Sequence, residues 1–137
     1  MRPTTRPAAK GIILATLVLA FTASGALAQL PDVCVPGYSR SHRMPESESQ
    51  AIKRSMLPPD GRMGDYELDH IVPICLGGSN DRNNLQLQPW SEARAKDDLE
   101  VAACRAVCQG RLPLAEARTW FTDWRIGYRR LFGRDPP

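Results

Sequence analysis

Apolar and polar positions change period several times along this chain, and each change predicts an element. Residues 11 to 21 form a nearly unbroken apolar run, with Arg2, Arg6 and Lys10 before it and Ala26-Leu27-Ala28 shortly after. A basic start, a short apolar stretch and a small-residue cleavage site predict a secretory signal peptide over residues 1 to 28, too short and wrongly flanked for a stable membrane span. Residues 29 to 44 are rich in turn formers. Pro45 at a first helical position predicts a helix through about Met56, which Leu57-Pro58-Pro59-Asp60-Gly61 stops. A strand then reads to its end at Pro73 and the following Gly77-Gly78, and Leu85 and Leu87 mark one apolar face of a second strand opened by Asn84. From Ser91 to Val107 no Gly or Pro interrupts the run; Ser91 serves as N-cap and Gly110 as the stop, predicting a long helix. Beyond Pro113, the residues Ala117, Trp120, Phe121, Trp124, Tyr128 and Leu131 recur at helical spacing and predict a final helix. A stripe of that period is core, and it would cover a hairpin-helix unit too small to bury an adequate core alone.

These elements make a single α+β domain over residues 29 to 137: a β-hairpin and helix flanked by an N-terminal helix and a C-terminal packing helix. No repeat or low-complexity tract interrupts it. Charge changes the picture once the leader is set aside. The whole chain has a formal net charge of +3, but residues 1 to 28 carry three bases and no acid, so 15 Lys and Arg face 15 Asp and Glu in the remainder. No global basic field draws the domain onto nucleic acid, and any phosphate binding must come from local patches.

All four cysteines, Cys34, Cys75, Cys104 and Cys108, fall within residues 29 to 137. An even count in a small exported domain reads as two disulfides with three possible pairings. A zinc site is the competing reading, but no Cys-x-x-Cys pair is present. Cys104 and Cys108 stand four apart on one helical face, so each reaches to Cys34 or Cys75 rather than to the other. The expected location is exported, periplasmic or extracellular.

The chemistry concentrates at Asp69-His70. Neighbours on a strand point to opposite faces, so the pair serves one site only where the strand ends or bends. A carboxylate suits a hard divalent cation, and a neutral imidazole suits removal of a proton from water near neutral pH. As an isolated dipeptide the pair would read as a hairpin histidine and a turn-capping acid. The surrounding pattern changes that reading.

Tyr66-Glu67-Leu68-Asp69-His70-Ile71-Val72-Pro73, Gly77-Gly78-Ser79-Asn80-Asp81 and Asn84-Leu85-Gln86-Leu87 together resemble the core of the HNH nucleases. Pro36-Gly37-Tyr38-Ser39, Arg43-Met44-Pro45-Glu46-Ser47, Lys96-Asp97-Asp98-Leu99-Glu100 and Val107-Cys108-Gln109-Gly110 extend the likeness to small exported bacterial HNH-like proteins over nearly all of the domain. The resemblance implies a ββα-metal fold and an endonuclease that hydrolyses DNA, with RNA as the alternative substrate, using one divalent cation, Mg²⁺, Mn²⁺ or Zn²⁺. It implies that Asp69 binds the metal, that His70 is the general base and that Asn84 holds the loop. The sequence departs from the family pattern on the helix, where the His or Asn ligand is expected at Ala93 or Arg94, just before Lys96. Neither side chain can ligate a metal. Glu92 is the nearest oxygen donor and the candidate replacement, while Arg94 and Lys96 are candidates for phosphate contact. A noncatalytic binding or structural module on the same scaffold is the alternative class.

Overall fold

The computed structural model describes residues 30 to 137; the expected signal peptide lies outside the described residues. A turn of 3-10 helix at Asp32–Cys34 leads into a one-turn helix α1 (Tyr38–Ser41), and Pro45 precedes α2 (Glu46–Met56). The strands β1 (Tyr66–His70) and β2 (Leu85–Pro89) form an antiparallel hairpin in which Leu68 faces Leu87, Asp69 faces Gln86 and His70 faces Leu85. Then follow α3 (Trp90–Cys108), α4 (Leu114–Thr119) and α5 (Trp124–Phe132). No helix of the described residues is long and apolar enough to cross a membrane.

A two-stranded hairpin this short is marginal alone and must pack on something. Here α2 and α3 both supply it, and α3 in turn carries the main core. Ala95, Leu99, Ala103, Ala106 and Val107 line one side of α3, and Leu76, Leu112, Ala117, Phe121, Trp124 and Tyr128 close over them. Small residues on that stripe let the neighbours come close. Gly127 of α5 shows how close: an added Cβ would stand 2.6 Å from the Trp120 carbonyl oxygen and 3.2 Å from Leu99. Leu99 is fully buried, so truncating it to alanine should cost about 2 to 5 kcal/mol.

Two disulfides bind the periphery to the same helix. Cys34 pairs with Cys108 and Cys75 with Cys104, with Cα–Cα separations of 5.3 and 5.9 Å. No cysteine among the described residues is left for zinc. The bridges tie the N-terminal turn and the loop after β1 to successive turns of α3, as the spacing of Cys104 and Cys108 required.

Two boundaries differ from expectation. The long helix starts at Trp90 after Pro89, so Ser91 lies in its first turn and caps nothing. The predicted single C-terminal helix is two. Asp123 accepts hydrogen bonds from the backbone N–H groups of Arg125 and Ile126 and starts α5 afresh, with Trp120 to Asp123 forming the turn. A side-chain cap of this kind satisfies N–H groups that a new helix leaves open. Phe121 of the turn and Trp124 at the start of α5 are both buried, so the apolar period runs through the break.

Candidate functional site

The site begins where β1 ends. After His70 the chain leaves the strand, passes Pro73 and a 3-10 turn at Ile74–Leu76, and returns to β2. Asn84 closes this loop: its Oδ1 accepts from the Val72 N–H at 2.9 Å, and its Nδ2 donates to the carbonyls of Val72 and Ser79 at 3.0 and 2.9 Å. One side chain thereby satisfies three backbone groups. Gly78 makes the closure possible, since a Cβ there would fall 1.7 Å from the Val72 carbonyl oxygen.

The clasp leaves Asp69 and His70 on the wall of one cleft of about 350 Å³, between β1 and α3 on one side and the segment Ser39 to Ser49 on the other. His70 Nε2 lies 2.8 Å from Asn80 Oδ1, and Asn80 Nδ2 donates to the His42 carbonyl at 2.8 Å. Asp69 Oδ2 accepts from Lys96 Nζ at 2.8 Å and from Gln86 Nε2 at 3.0 Å. The adjacent pair therefore does reach one cleft, as an ending strand allows.

Lys96 overturns its expected role. It is 1% exposed, and its ammonium group meets Asp69, Glu100 and the His70 carbonyl. Three partners match its three protons, leaving none for an incoming phosphate. Its charge also lies 5.5 Å from the centre of the Phe121 ring. Burial alone would lower the Lys96 pKa, but Glu100 and Asp69 outweigh it and hold the pKa above the ordinary lysine value.

Around this lysine the cleft gathers more carboxylates than one ammonium can balance. Burial, reinforced by the charges of Asp69 and Asp97, pushes Glu67 up to about 7. Burial likewise pushes Glu100 up to about 7, although Lys96 pulls the other way. Asp97 is raised by burial and then by Asp69. Sequence reasoning singled out none of these three acids, nor Asn80 and Gln86. The signal was present in spacing: Glu67 and Asp69 share a strand face at period 2, and Lys96 and Glu100 stand one helical turn apart.

Glu92 is placed differently from the expected third ligand. Its Oε2 accepts from Gln88 Nε2 at 2.9 Å and pairs with Arg125 of α5. It lines a second groove with Phe121, Trp124 and Arg125, and between it and Asp69 run two glutamines, Gln86 donating to Gln88 at 3.0 Å. Arg94 is exposed and lines neither hollow. Ala93 is buried, so its methyl packs where the family pattern would put a ligand.

Among the described residues, no three His, Cys, Asp or Glu side chains are grouped to hold a metal ion. Zinc, which takes three or four protein ligands, does not suit such a set. Magnesium keeps several waters and is held through one or two carboxylates plus substrate phosphates, and Asp69 offers that chemistry: the hydrogen bonds it accepts from the described residues fall on Oδ2, and Oδ1 takes none from them. No family model, curated protein or solved structure matches this chain.

Proposed function

We propose that this chain is an exported HNH-type endonuclease that hydrolyses phosphodiester bonds of DNA or RNA. The observation that carries the reading is the Asn84 clasp, which ends β1 so that Asp69 and His70 share one cleft at the junction of hairpin and helix. A purely structural hairpin has no need to bring a carboxylate and an imidazole to an open cleft. The two disulfides support folding in an oxidising compartment.

His70 takes a proton from water, the water oxygen attacks phosphorus, and the far phosphorus–oxygen bond breaks with its electrons passing to the leaving oxygen, which gains a proton from solvent. A base so placed contributes about 10² to 10⁴-fold in rate. Lys96 keeps the Asp69 carboxylate in place, and Asn84 keeps the loop behind His70 from drifting. The acids of the cleft repel a bare phosphate. Asp69 would hold one divalent cation such as Mg²⁺ or Mn²⁺, which would supply the positive charge that offsets the phosphate.

The Asp69–Lys96 ion pair favours a second reading, a noncatalytic module on the same scaffold, because it gives Asp69 a structural role. Incubating the oxidised chain with plasmid DNA and with RNA separates the two. Metal-dependent nicking with Mg²⁺ or Mn²⁺, abolished by chelator and by His70→Ala, supports the nuclease. Absence of cleavage under every metal and nucleic acid leaves the module.

A further inference from the structure

The hydrogen bonds around Asn80 decide which nitrogen of His70 is the base. We infer that Asn80 is a positioning residue that locks His70 in its Nε2–H tautomer and leaves Nδ1 as the proton-accepting atom, an inference that rests on the nuclease reading only for its catalytic consequence. A carbonyl oxygen can only accept, so the Asn80 atom facing the His42 carbonyl at 2.8 Å is its NH₂ group. The amide oxygen therefore faces His70, and Nε2, 2.8 Å away, must donate to it. In the neutral ring the other nitrogen then carries the lone pair, and Nδ1 takes no hydrogen bond from the described residues.

Asn80 is exposed, yet it is not free to turn. Its far end is tied to a carbonyl 38 residues away. That carbonyl belongs to a segment fixed by α1, whose Tyr38 ring stacks on His42 with centroids 3.9 Å apart, and by the Cys34–Cys108 bridge. Ser79, next to Asn80, is held by the Asn84 clasp. The imidazole is thus oriented from two directions: by the loop that bears Asn80 and by the N-terminal wall of the cleft.

The chain has two histidines, His42 and His70, so ring-nitrogen NMR of the ¹⁵N-histidine protein can be assigned with His42→Gln, which keeps the backbone carbonyl. At a pH well above the ordinary ~6.5 of imidazole, wild-type His70 should show a protonated Nε2 and a bare Nδ1. Asn80→Asp keeps an acceptor for Nε2–H and should keep that tautomer. Asn80→Ala should give a mixture of both tautomers and lower kcat roughly 10- to 100-fold, by analogy with the loss when the outer partner of a metal-bound histidine is removed, with KM for DNA unchanged. A wild-type ring protonated at Nδ1, or ring signals unchanged in Asn80→Ala, would overturn the assignment. If wild-type protein cleaves nothing, the nuclease reading falls, while the ring signals still decide the role of Asn80.

Discussion

The two halves of α3 hold the molecule by different means. From Val101 to Cys108 the helix is fixed by apolar burial, with Ala103, Ala106 and Val107 buried, and by two covalent bridges. From Glu92 to Glu100 the helix also buries Ala93, Ala95 and Leu99, but in place of covalent bridges it carries ion pairs and amides: Lys96 with Asp69 and Glu100, Glu92 with Arg125 and Gln88. The C-terminal half responds to redox state and the N-terminal half to pH. Stability that does not depend on protonation, placed next to the cleft, leaves the cleft free to hold charges in an unfavourable balance.

The strongest test of that division is reduction. Reducing both bridges should destabilise the chain by about 2 to 5 kcal/mol each, read as a shift in the denaturant midpoint, and the oxidised protein should show no free thiol when unfolded. Four titratable thiols would contradict the structure directly. Next comes Lys96→Met, which strands Asp69 and Glu100. Breaking a buried pair by removing one partner costs about 3 to 5 kcal/mol, and the loss should be larger at pH 8 than at pH 5, where Glu100, pushed up to about 7, can take up a proton instead. An equal loss at both pH values would mean that packing, not charge, is what Lys96 contributes.

On the nuclease reading, His70→Ala acts mainly on chemistry. It should lower cleavage by about 10² to 10⁴-fold and leave the thermal transition in place, whereas the Lys96 variant should disturb both. For Glu92→Ala the expected cost is about 1 to 3 kcal/mol, from leaving the buried Gln88 amide without its acceptor. Metal dependence of cleavage should be unchanged. A loss of metal affinity equal to that of Asp69→Ala would restore Glu92 as a ligand.

The smallest effect is in the pH profile of stability without metal. Glu67 and Glu100 stand near 7 in the fold against an ordinary 4.5. Their folded pKa values are raised, so the native state binds more protons than the unfolded chain between those limits. Stability from this source is fully present below about 4.5 and is lost as pH rises through 7. Glu67→Gln should therefore flatten the decline between pH 5 and pH 8 in thermal melts, and an unaltered slope would remove Glu67 from the account.

The hairpin and long helix were legible because a strand end, a glycine turn and an Asn-Leu restart each leave a local mark. The cysteines four apart on α3 announced two separate bridges, but not which partner each takes, because that depends on where distant segments return. Lys96 was misjudged for a similar reason. Its burial needs Asp69 from β1, Glu100 from α3 and Phe121 from beyond α4, and no local window contains all of them. The break at Trp120 to Asp123 escaped because the spacing of Ala117, Phe121, Trp124 and Tyr128 also fits an unbroken helix. Glu92 was singled out for its nearness to Ala93 in sequence, while its carboxylate is drawn to an arginine 33 residues further on.

Cys104 and Cys108 sit about one turn apart, about 6 Å along the helix axis, so the correct set of bridges and its exchanged counterpart differ by a displacement of about a single turn. An oxidised chain with Cys34 on Cys104 and Cys75 on Cys108 would be a near neighbour of the native one, compact and free of thiols. It would pull the loop next to His70 along α3. Correct oxidation is thus a proofreading problem at the scale of one helical turn, and thiol counting alone would pass the wrong isomer.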